Sequence, residues 1–313
     1  MPKSTDTRSK KRGRFLREDG ALFAMAIPTV IYLFIFAYLP MAGLVMAFQS
    51  LNVSKGIFGS PFIALKNFEF LFATTDAWII TRNTVLYNVA FIIVNLIISV
   101  TLALMLSSLR SARYAKTVQT VYMMPYFLSY AVIAIIVNAF LHRDSGVVNA
   151  IIQFYGGTGK TNWYHQQSIW PPLLVFVNAW KGCGYQTVLY LAVISGISNE
   201  LYEAAVIDGA TRFKQALYIT IPHLRFIISI SLILSIGSIF RGDFGLFYQV
   251  PMNSGRIYAV TDVIDTYIYR SLVHLSNAGM STAAGLYQSV VGFILILVAN
   301  KIVTKVDPDS AMF

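Results

Sequence analysis

Six apolar runs, separated by shorter polar stretches, set the pattern of the chain. Residues 21–48 contain no charged side chain. As a helix they reach about 42 Å, beyond the ~30 Å of a bilayer's hydrocarbon core. The run is longer than the apolar part of a secretory signal, so it predicts a retained first span. Pro40 is expected to kink it near its outer end. Further runs follow at about 83–109, at 118–141 with Pro125 inside, at 170–197, from 226 onward, and at 282–303. The fifth run is short. Its uncharged part, 226–240, reaches about 22 Å. Arg241 and Asp243 are therefore expected on a helix, or a broken helix, still at membrane depth. The pattern predicts an all-α polytopic membrane protein with six spanning helices.

Residues 49–81, 142–168 and 249–278 read as outer segments. In the first, Phe62, Phe68, Phe70 and Phe72 predict a short interfacial helix. Arg110, Arg113 and Lys116 mark a basic turn after the second span.

Composition supports a membrane protein. Of 313 residues 56% are hydrophobic and 12% charged, with a mean hydropathy of +0.63; soluble domains carry about 25% charged residues. The net charge of +10 does not point to nucleic acid, because the charges are unevenly placed. Seven of the 24 basic residues fall in the first seventeen positions, where they suit an anionic inner leaflet. With the N-terminus inside, fifteen basic residues lie on the inner side and eight on the outer. The positive-inside rule then places both termini in the cytoplasm, 1–20 as a basic tail and 304–313 as a short one.

Several functions are set aside. No G-x-x-x-x-G-K-[ST] occurs, so the chain has no P-loop with which to hydrolyse ATP. No His/Cys cluster has metal-ligand spacing, and no nucleophile–base set stands out; neither metal, cofactor nor catalytic residue is expected. Cys183 stands alone, which excludes an intrachain disulfide.

The polar stretch 199–225 carries the most specific signal. Ser198 or Asn199 can cap a short helix holding Glu203, Ala204 and Ala205. Small Ala204 and Ala205 let another surface come close to the backbone. Asp208 and Gly209 follow, and Gly209 permits a turn with positive φ. Thr211 can cap a second short helix through Ile219, and Pro222 is expected to end it before the chain re-enters the membrane. This E-A-A, three residues, G, nine residues, I-x-x-P spacing resembles the EAA loop of binding-protein-dependent ABC importer permeases. Ile221 stands where that family usually has Leu. The resemblance implies the type I ABC importer permease fold in a bacterial inner membrane. It implies that Glu203, Ala204, Ala205, Asp208, Gly209 and Pro222 form the contact with an ATPase dimer, which alone binds ATP and Mg. It further implies a second permease subunit, in a heterodimer, and an extracytoplasmic solute-binding protein.

Charges within spans are costly and usually face a bundle interior or cavity, which singles out Lys181, Arg241 and Asp243. Residues 177–186, VNAWKGCGYQ, resemble the N-x-W-x-G-x-x-Y stretch that lines the sugar site of maltose-type permeases. Asn178, Trp180, Gly182 and Tyr185 fall on it; Lys181 replaces an apolar residue. The resemblance implies substrate contact at Asn178, Trp180, Lys181, Gly182 and Tyr185. Lys181 could instead snorkel, or pair with Asp243. Residues 240–251 and 253–270 resemble the polysaccharide-type subfamily, which implies sugar contact at Phe240 and Asp243, or a role for Asp243 in bracing an outer gate. Asn178, Tyr185 and Asp243 are expected to face one cavity. The expected function is import of oligosaccharides or polysaccharide fragments, acidic ones included, by alternating access. The alternative is an ion-coupled secondary transporter of a small polar solute, with Asp243 as its only candidate acid; that reading leaves the EAA pattern unexplained.

Overall fold

The computed structural model describes residues 20–306, apart from 53, 74, 110 and 275. The basic tail, the last seven residues and Arg110 lie outside them. The chain is built from helices, and the described residues hold one isolated bridge, Gln49 with Phe62. The principal helices are α1 (Gly20–Leu33), α2 (Lys66–Ala73), α3 (Thr75–Ser107), α4 (Ala112–Met123), α5 (Tyr130–Leu141), α6 (Val147–Phe154), α7 (Trp170–Ser195), α8 (Asn199–Ile207), α9 (Arg212–Gln215), α10 (Ile221–Gly237), α11 (Phe244–Gln249), α12 (Ile264–Val273) and α13 (Ala278–Val306).

Among the described residues, four continuous helical runs are long and apolar enough to cross a membrane: Phe23–Phe48, Thr75–Ser107, Arg212–Gly237 and Ala278–Lys301. A fifth crossing arises if the bent pair Ala112–Phe127 and Tyr130–Leu141 counts as one span. Helix α7 has 26 residues, about 39 Å, but it carries Asn178, Lys181 and Gln186 along its length. Six crossings therefore require both the bent pair and this polar helix.

Three boundaries differ from the sequence pattern. The second span starts at Thr75, not near 83, because polar Thr75, Asp76, Arg82 and Asn83 continue the helix beyond the apolar run. The third span is not straight: it turns by 96° after Phe127. The fifth does not restart after Pro222; Arg212–Gly237 is one helical run. A proline removes one donor, and its ring clashes with the carbonyl four residues earlier. Here the turn before it, Ala216–Thr220, is widened, with Ile221 N–H reaching the Ala216 carbonyl. The first span uses the same device. Phe34–Tyr38 is widened, with Leu39 N–H on the Phe34 carbonyl, and Pro40 follows without breaking the run.

Close approach between helices depends on small residues. A Cβ at Gly184 would stand 2.8 Å from the Tyr122 carbonyl oxygen and 3.0 Å from Met123 Cα, so α7 lies directly on the end of α4. The largest buried cluster joins Tyr87 and Phe91 of α3, Trp170 and Leu174 of α7, and Leu246 and Phe247 of α11. Hydrogen bonds anchor two of its aromatic rings: Tyr87 Oη donates to the Val260 carbonyl at 2.7 Å and Trp170 Nε1 to the Trp163 carbonyl at 3.1 Å.

Candidate functional site: two broken spans and an exposed loop

The first break follows α4. Met124–Phe127 forms a tight turn containing Pro125, and Leu128 and Ser129 are extended, with ψ of 136° and 153°. Ser129 Oγ then caps α5 by accepting the Val132 N–H. Such a break strands carbonyls in an apolar surrounding, where each unsatisfied group costs about 1–3 kcal/mol. Lys181 from α7 resolves this. Its Nζ donates to the Tyr126 carbonyl at 2.7 Å and the Leu128 carbonyl at 2.6 Å. It also lies 5.6 Å and 5.2 Å from the ring centres of Tyr126 and Tyr130. Its charge sits at the negative end of the α4 dipole. One turn on, Tyr185 stacks on Tyr126, with centroids 5.2 Å apart and planes 12° apart.

The second break lies between α10 and α11. Asn88 Nδ2 donates to the Ile239 carbonyl at 2.9 Å and the Arg241 carbonyl at 3.0 Å. Gln288 Nε2 donates to the Phe240 carbonyl at 2.6 Å and to Asp265 Oδ2 at 2.8 Å. Gly242 N–H donates to Asp265 Oδ2 at 2.5 Å. Three helices thus hold four consecutive residues of irregular backbone. Asp243 caps α11, its Oδ1 accepting the Leu246 N–H at 3.2 Å. The breaks meet at Tyr130: a Cβ on Gly245 would stand 2.5 Å from the Tyr130 ring.

Lys181, Tyr185 and Asp243 are therefore gathered around Tyr126 and Tyr130. Lys181 does not pair with Asp243; its ammonium is taken by the two carbonyls. Asn178 faces elsewhere. Its Oδ1 accepts from Asn95 Nδ2 at 2.9 Å, and it lines a cavity of about 170 Å³ with Asn88, Asn95, Gln186, Ser231 and Ser235. Tyr185 and Asp243 are not among that cavity's lining residues. A Cβ on Gly182 would stand 3.9 Å from Asn95 Nδ2, Trp180 packs against the large cluster, and Phe240 meets Tyr287 edge-on at 6.1 Å. The residues that sequence reasoning passed over are Asn88, Asn95, Gln186, Asp265 and Gln288. The signal available for four of them was an amide inside an apolar run: Asn88 and Asn95, seven apart, share a face of α3.

In the 249–278 segment, Asp262 pairs with Arg270, whose guanidinium lies 4.0 Å over the Tyr258 ring. Burial pushes the Asp262 carboxyl up, and Arg270 pulls it partly back. Burial also raises Asp265, against the hydrogen bonds from Gly242 and Gln288.

The 199–225 loop is built locally. Ser198 Oγ caps α8 by accepting the Glu200 N–H. After Asp208, Gly209 takes φ +77°, and Ala210 N–H returns to the Ala205 carbonyl at 2.8 Å, the closure that favours glycine after a helix. Thr211 Oγ1 accepts the Lys214 N–H. Glu203, Ala204, Asp208, Gly209 and Pro222 are exposed and Ala205 is half-buried. Around them large apolar side chains stand out: Ile207 is 86% exposed, Phe213 77% and Tyr218 73%. Such a patch on a polar loop marks a binding surface.

Residues 95–308 match the family model described as binding-protein-dependent transport system inner membrane component. The chain belongs to this family of ABC transport permeases. The polygalacturonan/rhamnogalacturonan transport system permease protein YteP of Bacillus subtilis is 33% identical over 95% of this chain and 93% of its own length. Protein LplB of the same organism is 34% identical over 94% and 92%. In the crystal structure of a bacterial ABC transporter involved in import of the acidic polysaccharide alginate, one chain superposes with a TM-score of 0.86 at 31% identity, covering 95% of this chain and 99% of that one. A second structure shows the alginate transporter with a periplasmic protein carrying an alginate pentasaccharide; its matching chain gives a TM-score of 0.84. The portion of this permease matched to the family includes the 199–225 loop and both breaks, though Asn88, which holds the second, precedes it.

Proposed function

We propose that this permease carries acidic oligosaccharides or polysaccharide fragments across a bacterial inner membrane, with both termini in the cytoplasm, as one half of a permease heterodimer. A separate ATPase dimer supplies energy and an external solute-binding protein delivers the sugar. Glu203, Ala204, Ala205, Asp208, Gly209 and Pro222 belong to the surface that docks on the ATPase. The reading rests chiefly on the exposed apolar patch of Ile207 and Phe213 on the EAA-patterned loop, within a chain of this family. A loop facing only water has no use for such side chains.

In this mechanism ATP binding closes the ATPase dimer and pulls on α8. Because Arg212–Gly237 is one helical run, motion at the loop passes without a joint into the fifth span. The second break, clamped to α3, α12 and α13, lies at the far end of that run. The exposed Tyr126–Tyr185 stack offers a flat aromatic face to a sugar ring, and Asn178 offers amide hydrogen bonds. The same residues bind nothing covalently; the subunit converts binding into motion.

The test is uptake into proteoliposomes holding the whole importer, with a panel of uronate and neutral oligosaccharides. Uptake that requires both ATP and the binding protein is expected. Uptake driven by a proton or sodium gradient without ATP would instead support an ion-coupled transporter.

A further inference from the structure

We infer that Arg241 is the carboxylate-binding residue of a sugar subsite beside the second break, and that it selects uronate-containing chains; this rests on the reading of the protein as a sugar permease. Basic side chains on or near the breaks include Arg82, Lys181, Arg241 and Arg270. Three are engaged within the protein. Arg82 donates to Asn83 Oδ1 and, at 2.9 Å, to the Ala259 carbonyl. Lys181 brackets the first break. Arg270 is paired with Asp262 and lies over Tyr258. Arg241 is exposed, and no hydrogen bond or ion pair joins its guanidinium to another described residue. Asp265 acts on it through space, but the two hydrogen bonds that carboxylate accepts, both at Oδ2, come from Gly242 N–H and Gln288.

The backbone beneath Arg241 is fixed. Its carbonyl accepts from Asn88 and the next N–H donates to Asp265, so the guanidinium is presented from a rigid base. It borders a cavity of about 200 Å³ together with Phe240, Gln288, Ser289 and Phe293. Those neighbours supply the rest of a uronate's chemistry. Two aromatic residues, Phe240 and Phe293, border it, the residue type that packs on the apolar side of a pyranose. Ser289 Oγ donates to the Gly285 carbonyl at 2.9 Å, which leaves its lone pairs for a sugar hydroxyl. A guanidinium fork matches a carboxylate bidentately. Two nearby carboxylates would repel a uronate: Asp243 caps α11, Asp265 accepts from Gly242 and Gln288, and neither lines this cavity.

The assembled importer, purified without its binding protein, should be titrated with tetragalacturonate and with its neutral, carboxyl-reduced counterpart. Wild type is expected to bind the acidic chain more tightly, by an interaction that weakens with salt. Arg241→Gln should lower affinity for tetragalacturonate on the order of tenfold and leave the reduced chain unchanged, while Arg241→Lys retains part of the preference. Unchanged tetragalacturonate binding in Arg241→Gln, or equal loss on both chains, would overturn the assignment. Should Arg241→Gln fail to assemble, a full acidic preference in Arg241→Lys, or a wild-type preference indifferent to salt, would overturn it as well. Wild type binding neither chain would overturn the sugar-permease reading itself.

Discussion

The exposed loop and the two breaks are both interruptions of regular helix, yet they are held in opposite ways. Every stabilising bond named in the loop joins residues two to five apart: Ser198 with Glu200, Ala205 with Ala210, Thr211 with Lys214. The breaks are held from afar. Lys181 is 55 residues from Tyr126, Asn88 is 151 from Ile239, Gln288 is 48 from Phe240 and Asp265 is 23 from Gly242. The difference follows from what surrounds them. Water can satisfy the orphan groups of an exposed helix end, so local caps suffice. Irregular backbone in an apolar body has no water, and other helices must supply its partners. Substitutions in the loop should therefore change coupling and spare the fold, whereas substitutions at the breaks should weaken the fold first.

The largest effect should come from Gly209→Val. A Cβ there meets no atom within 4 Å, so the penalty is one of backbone: φ +77° is strongly disfavoured for a β-branched residue. Substrate-stimulated ATPase activity of the assembled importer should fall close to the unstimulated level, while its melting temperature moves little. Full stimulation would remove the loop's special standing.

Next in size is Lys181→Met, which leaves the Tyr126 and Leu128 carbonyls without their donor, at about 1–3 kcal/mol each. Melting of the purified complex should shift down markedly, and Lys181→Arg should restore part of the loss. Unaltered melting would mean that the first break does not depend on α7.

Gln288→Leu removes one donor shared by the Phe240 carbonyl and Asp265, so a smaller loss of about 1–3 kcal/mol is expected in the same assay. The smallest effect belongs to Ser198→Ala. Losing that cap costs α8 about 1 kcal/mol, visible as faster amide exchange confined to 199–202 rather than as a change in global melting.

The same contrast explains what could be read from the chain itself. The loop was legible in detail because its caps, its glycine and its small residues are consecutive. Ser198, Gly209 and Thr211 each take the part their chemistry suggests. The spans were legible as apolar runs, and the short fifth run offered a broken helix at Arg241 and Asp243, but the bend after Pro125 and the continuity across Pro222 were not legible. Pro125 and Pro222 look alike in sequence, yet one accompanies a 96° bend and the other lies inside a continuous run. A widened turn absorbs Pro222, whereas Leu128 and Ser129 are extended after Pro125, where Lys181 accepts the exposed carbonyls' demand for a donor. Neither outcome is written near the proline. Lys181 was recognisable as a charge needing a partner, but its partners are backbone atoms on another helix, which no side-chain pattern announces.

The central claim is that the 199–225 loop docks on a cytoplasmic ATPase. Ile207, 86% exposed at the end of α8, tests it most directly when changed to Cys in a Cys183→Ala background. The account predicts that a membrane-impermeant maleimide added to intact cells leaves this cysteine unlabelled. In inverted membranes it should label freely without the ATPase, become protected when the ATPase assembles, and cross-link to that partner with a short bifunctional reagent. Labelling from outside intact cells, or reactivity unchanged by the ATPase, would contradict it.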